Sequence, residues 1–216
     1  MTLVSKLLVS KLPTAVRHLK RQDEQLASLI KRIGPCRLQL QNTDNIFHSL
    51  ARAIVFQQLS GKAAGTIFSR VLGLYPGKRK LQPDLIASSS DEELRAVGIS
   101  RNKMASLRDL AQRCKQRDVP SMTQLRKMGN CEIIDCLTQV RGIGRWTVEM
   151  LLMFRLGRPD VFPVNDLGIR RGFTRTFASA TDGEFASDAE MLERAANWQP
   201  YRTVASWYLW QAADES

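Results

Sequence analysis

The sequence predicts an all-α protein on three observations: apolar residues recur at helical spacing along nearly the whole chain, alternating β patterns are scarce, and helix start and stop signals punctuate it at short intervals. No internal repeat or low-complexity segment interrupts the pattern. A length of 216 residues suffices for one domain, in one or two lobes, whose core needs no disulfide or structural metal.

The first element begins in a basic stretch, with Lys6, Lys11, Arg17, Lys20 and Arg21 and no acid before Asp23. A mitochondrial transit peptide shares that composition. The apolar stripe Leu12, Val16, Leu19, Leu26, Leu29, Ile30 and Ile33 runs well past Asp23, however, and favours one basic helix of the folded domain, closed by Gly34-Pro35. Thr43-Asp44 then reads as the start of a helix carrying Ile46, Phe47, Leu50, Ala51 and Ile54. Tyr75-Pro76-Gly77 opens the basic, proline-bounded loop PGKRKLQP (76–83), better read as a solvated turn than as a phosphate contact. Ser90-Asp91 starts a short helix with Leu94 and Val97, which Gly98 stops. Ser106 and Asp109 fall in a further helical run, and Gly129-Asn130 is the next stop signal.

Charge narrows the partner. Lysine and arginine number 32 against 21 acids, a net charge of +11, which points to a polyanion. No stretch approaches the ~18 consecutive apolar residues of a membrane span, and the basic residues are dispersed, so nucleic acid ranks ahead of membrane. Cys36, Cys114, Cys131 and Cys136 accompany only two histidines, His18 and His48, without the close-spaced pairs of a zinc or iron–sulfur site. They are expected to be reduced thiols, mostly buried, in a reducing compartment.

The chemistry concentrates after Leu137, where the chain reads LTQVRGIGRWTVEMLLMF. Gly142 and Gly144 place a tight reversal between two helical patterns and leave backbone N–H groups uncovered at the second helix's start. Those amides and the positive end of the helix dipole suit a phosphate, and Arg141 and Arg145 add charge. Taken alone, a Gly-x-Gly turn is weak evidence.

The longer string resembles the helix-hairpin-helix of alkylation-repair DNA glycosylases of the 3-methyladenine DNA glycosylase II type, within the HhH-GPD superfamily. The resemblance runs from about residue 40 to the end through AIVFQQLSGKAA (53–64), the hairpin (137–150), RPDVFPVNDLGIRRGF (158–173) and NWQPYRTVASWYLW (197–210). It implies a single 1–216 domain of two helical lobes, one formed mainly by 44–158 and the other by the N- and C-terminal helices, with damaged double-stranded DNA bound across the cleft. It also implies a monomer in the nucleus, or the nucleoid of a bacterium. No cofactor is required, though a structural Na+ or K+ can sit on the backbone carbonyls of Thr138, Val140 and Ile143.

The family's catalytic aspartate falls on Asp166, which locally also reads as a helix N-cap. Cleaving an N-glycosidic bond builds positive charge on the sugar, and a carboxylate beside C1′ stabilises it and orients the attacking water. Asp160, after Arg158-Pro159, reads as a turn residue. Relatives that also cut the strand carry a Schiff-base lysine just after the hairpin, whereas this chain has Trp146, implying hydrolysis without lyase activity. The resemblance places Trp146, Met150 and Tyr201 at the pocket for a flipped, cationic alkylated purine. Leu59 is the expected wedge with Gln58 filling behind it, and Gln57, Ser60, Lys62 and Thr147 join the hairpin residues as DNA contacts. Trp198, Trp207, Tyr208 and Trp210 read as core packing. The chain departs from relatives at Ser60, where some carry histidine, and at Met150, where bacterial forms carry tyrosine. A catalytically weak homologue that binds abasic or distorted DNA is therefore the alternative reading.

Overall fold

The computed structural model describes residues 10–41, 44–177 and 185–215; Lys6 and Thr43 lie outside them. Among the described residues it is all-helical, without strands, and divides into two compact units: residues 43–148, and residues 1–42 with 149–216.

In the second of these, the long N-terminal stripe is divided rather than continuous. α1 (Leu12–Gln22) and α2 (Glu24–Ile33) meet at Asp23, which adopts an extended backbone and caps α2 by accepting from the Leu26 N–H at 3.0 Å. The break has a tertiary cause. Asp23 is only 8% exposed, takes two hydrogen bonds from Arg194 (2.7 and 2.8 Å) and a third from the Trp198 indole N–H (3.1 Å). Leu19, Leu26, Leu29 and Ile30 are buried on either side of it, as the spacing predicts. They share a core with Trp198, Tyr208, Ile169 and Phe173.

Two further helices of that unit position the site. α11 (Leu167–Phe177) lies against α13 (Arg202–Asp214) so closely that a Cβ added at Gly172 would sit 1.8 Å from the Leu209 carbonyl oxygen. The segment between α10 (Arg145–Phe154) and α11 is pinned to the start of α13. Thr203 donates its N–H to the Pro159 carbonyl (3.0 Å) and its hydroxyl to that of Arg158 (2.7 Å), while its Oγ1 accepts from the Val161 N–H (3.1 Å). Asp160 is thus more than a turn residue, since it holds Arg202 through two hydrogen bonds of 2.6 and 2.8 Å.

The 43–148 unit contains α3 (Ile46–Phe56), α4 (Gly61–Gly73), α5 (Pro83–Ser88), α6 (Asp91–Ala96), α7 (Arg101–Gln116), α8 (Met122–Leu125) and α9 (Asn130–Leu137). α7 is its axis, packing against α3 and α5. Asn45, rather than Thr43-Asp44, caps α3, its side chain accepting from the His48 N–H at 2.8 Å. Ser90 and Glu93 close a capping box on α6. The 76–83 loop is less solvated than its composition suggests: Leu81 is fully buried, its N–H donates to His48 Nδ1 (3.1 Å), and Lys80 pairs with Asp44. Gly129 serves as the N-cap of α9, so that signal marks a start as much as a stop.

All four cysteines are free, but the expectation that they are mostly buried needs correcting. Cys36, Cys114 and Cys136 are half-buried and Cys131 is exposed: Cys36 follows the end of α2 and packs against the edge of the core, and the other three lie near helix ends. Burial still pushes the Cys36 and Cys114 thiols up to about 11, which keeps them protonated and unreactive at neutral pH.

Candidate active site and nucleic-acid interface

The hairpin is held from beneath by apolar side chains and exposes backbone above. Val140 and Ile143 are buried and anchor the turn, while Arg141, Gly142, Gly144 and Arg145 are exposed. The Ile143 N–H donates to the Val140 carbonyl at 3.0 Å, closing the reversal between α9 and α10. Gly142 sits at φ +77°, the left-handed region, and an added Cβ would come within 2.6 Å of Ser106 Oγ. Glycine is therefore required twice, for conformation and for space.

Polar contacts from α7 and α3 complete this frame, and sequence reasoning missed them. Asp109 accepts from the Arg141 N–H (2.8 Å) and pairs with Arg113 one helical turn along (3.1 Å). Gln57 Nε2 donates to the Gly142 carbonyl at 2.8 Å, joining QQLSG to the hairpin. Lys103 caps the end of α3, donating to the carbonyls of Val55 and Gln57 at 2.8 Å each, and burial lowers its pKa from the ordinary lysine value. Beyond this clamp Gln58 is held at φ +59°, an uncommon conformation for a side-chain-bearing residue, and Leu59 is 40% exposed. Ser60 caps α4 through the Ala63 N–H (3.3 Å), and Lys62 is exposed on its first turn. Trp146, second in α10, is 48% exposed, whereas Thr147 beside it is buried.

The candidate carboxylate belongs to the other unit. Asp166 caps α11 as its position suggests: Oδ1 accepts from the Ile169 N–H at 2.9 Å, and its carbonyl accepts from the Arg170 N–H at 2.9 Å. The same Oδ1 accepts from the indole N–H of Trp210 at 2.8 Å. The reading of Trp210 as core packing therefore misses half of its role. Its ring stacks on Phe154 with centroids 5.8 Å apart, and Gly168 leaves room for it, since a Cβ there would lie 2.7 Å from Trp210 Cδ1. A signal existed: Gly168 and Gly172 are four apart on α11, the spacing that lets two helices touch. Tyr201, half-buried at the start of α13, meets the His18 ring edge-on at 5.3 Å, and Met150 is half-buried on α10. Among the described residues no group of three or more His, Cys, Asp or Glu is placed to hold a metal ion.

Three comparisons with known proteins agree with this geometry. Residues 51–200 match the family described as the HhH-GPD superfamily of base excision DNA repair proteins. The chain is 35% identical over 207 residues to DNA-3-methyladenine glycosylase 1 of Schizosaccharomyces pombe, covering 95% of this chain and 90% of that one. It is 30% identical over 198 residues to the alkylbase DNA glycosidase-like protein mag2 of the same yeast, covering 91% and 92%. Two solved structures are similar. The S. pombe 3-methyladenine DNA glycosylase Mag1, in complex with abasic DNA, matches at a TM-score of 0.78 and 35% identity, over 92% of this chain and 95% of that one. A DNA-3-methyladenine glycosidase from Bacillus halodurans matches at 0.83 and 36%, over 93% and 89%. With two thirds of its length matched by the family and nearly all of it by such relatives, this chain belongs to the HhH-GPD superfamily of base excision DNA repair proteins.

Proposed function

We propose that this protein is a base-excision DNA glycosylase that hydrolyses the N-glycosidic bond of alkylated purines, of the 3-methyladenine and 7-methylguanine type, in double-stranded DNA. The observation that carries the reading is Asp166, with Oδ1 held by two donors, in a chain so similar to proteins named for that activity. As the base departs, the deoxyribose gains positive charge, and a fixed carboxylate stabilises it and orients the attacking water. An N-methylated purine is already cationic and leaves readily, so little general-acid help is needed.

The hairpin supplies a grip on phosphate through Gly142, Gly144 and the start of α10, with Arg141 and Arg145 contributing charge. Leu59 enters the stack as the wedge, supported by Gln58, while Gln57, Ser60, Lys62 and Thr147 line the path of the strand. Trp146, Met150 and Tyr201 receive the flipped base; aromatic faces attract its charge. With Trp146 rather than lysine after the hairpin, the product is an abasic site and the strand stays intact. The Thr138, Val140 and Ile143 carbonyls suit Na+ or K+ in their chemistry: they are neutral oxygens, and the Val140 oxygen keeps a second lone pair beyond the Ile143 N–H it accepts. Such an ion would stiffen the turn and add positive charge there. The protein acts as a monomer, in the nucleus of a eukaryote or the nucleoid of a bacterium.

The test is release of free base from methylated duplex by the wild type, with Asp166→Asn abolishing release while retaining binding. Absence of release from every alkylated duplex, together with tighter binding to abasic than to intact DNA at one salt concentration, would establish the lesion-binding alternative instead.

A further inference from the structure

The end of α3 is capped by a cation from another helix, and that cap lies two residues before the expected wedge. α3 stops at Phe56 without a glycine: Gln57 turns to ψ 137° and the chain runs on into Gln58 and Leu59. The last turn of α3 holds no basic residue of its own, so the carbonyls at its negative end need a cation from elsewhere. Lys103 of α7 supplies it, donating to the carbonyls of Val55 and Gln57 at 2.8 Å each. We propose that Lys103 is the positioning residue of Leu59: its ammonium fixes the end of α3 so that Leu59 stands ready to enter the base stack, and it thereby raises the preference for damaged over intact duplex without touching DNA. This rests on Leu59 being the wedge and goes beyond it.

Lys103 sits where a lysine is locally unwelcome. It is the third residue of α7, in a first turn whose own helix dipole repels a cation, and the two carbonyls of α3 offset that cost. A local preference broken in favour of a distant contact points to a use for the contact. The segment it holds is gripped from a second side. Gln57 Nε2 donates to the Gly142 carbonyl at 2.8 Å, so Gln57 is held by its main chain and by its side chain. Gln58 follows at φ +59°, a conformation that a side-chain-bearing residue keeps only where its surroundings over-determine it. Leu59 is 40% exposed, so its place is set by this clamp behind it more than by packing of its own. A wedge placed in advance loses less freedom when it enters the duplex.

Arg108, on the same helix, is the control. It donates to the carbonyls of Ile86 (3.0 Å), Ala87 (3.3 Å) and Ser89 (2.7 Å) at the end of α5 and pairs with Asp91. The device is the same, but the segment it fixes leads into the capping box of α6 and carries none of the residues proposed to meet DNA.

The test compares Lys103→Met, which keeps the stem and removes the ammonium, with Leu59→Ala, the double variant of these two, and Arg108→Met; Lys103→Gln replaces Lys103→Met should the latter not fold. Affinities for abasic and intact duplex of one sequence are measured over a salt series, beside thermal midpoints. Lys103→Met should lower the abasic-over-intact preference on the order of 10-fold with an unchanged salt slope. In the Leu59→Ala background it should lower the preference no further, since it acts through that side chain. Arg108→Met should lower the thermal midpoint and leave the preference as in wild type. A wild-type preference in the Lys103 variant overturns the proposal. So does a loss that adds fully to that of Leu59→Ala, or one that Arg108→Met reproduces at an equal fall in midpoint. Equal weakening on both duplexes with a salt slope shallower by about 0.9 overturns it too, as the mark of a phosphate contact. If Leu59→Ala itself keeps the preference, the wedge reading fails first and takes this inference with it.

Discussion

The hairpin and the Asp166 centre both depend on glycine, for opposite reasons. Gly142 is needed because the chain reverses through a left-handed conformation and exposes its backbone. Gly168 and Gly172 are ordinary helical residues, needed because another helix and an indole ring occupy the space of a side chain. The first region therefore presents main-chain amides, which suit a phosphate and ignore base identity. The second brings a local backbone N–H and a side chain from a distant helix together on one oxygen. A backbone site tolerates changes in its side chains, and a convergent site does not.

Asp166→Asn is expected to give the largest effect on that contrast, slowing base release on the order of a thousandfold, about 4 kcal/mol, with little change in binding; a parallel loss of affinity would blur the two regions. Gly172→Ala comes next. With 1.8 Å to the Leu209 carbonyl the helices must part, which costs about 3 kcal/mol of stability, read as a lower urea midpoint, and a wild-type midpoint would show the contact to be soft.

Gly142→Ala should cost less, about 1–2 kcal/mol for the left-handed backbone. Adding Ser106→Ala relieves the clash with Oγ but leaves the conformational cost, so full recovery in the double variant would mean that space alone dictates glycine there. Arg141→Ala is smaller again, about 1 kcal/mol of duplex affinity, with the salt slope reduced by roughly 0.9 and no change in the release rate of bound substrate.

The last effect is confined to acid. Burial of Asp23 opposes its charge, but the hydrogen bonds from Arg194, the Leu26 N–H and Trp198 outweigh it and hold the carboxyl below its ordinary value of 3.8. Because the folded value is the lower one, this stabilisation is complete above about pH 3.8 and is lost as pH falls through the folded value. Urea midpoints followed from about pH 5 to 2 should fall more steeply in wild type than in Asp23→Asn, and identical acid limbs would remove Asp23 from the account.

Much of this was legible beforehand. Leu19, Leu26, Leu29 and Ile30 announced a buried stripe, Ser90 a cap, and Gly142 with Gly144 a reversal, since each depends on residues within a turn or two of chain. Asp166 was legible as a cap, and the Ile169 N–H bears that out. The same stripe concealed the break at Asp23, whose cause is Arg194, 171 residues away. Trp210 was indistinguishable from its aromatic neighbours because its partner lies 44 residues upstream. Nothing marked Lys103 among 32 basic residues until the carbonyls of Val55 and Gln57 were seen at its ammonium.

Helical periodicity, caps, the glycine turn and the surplus of positive charge follow from the order of residues, because propensity, capping and net charge are local or additive. Which donor meets which carboxylate was decided only by folding: a hydrogen bond acts over about 3 Å, and no spacing in the chain reveals which distant groups will be brought that close.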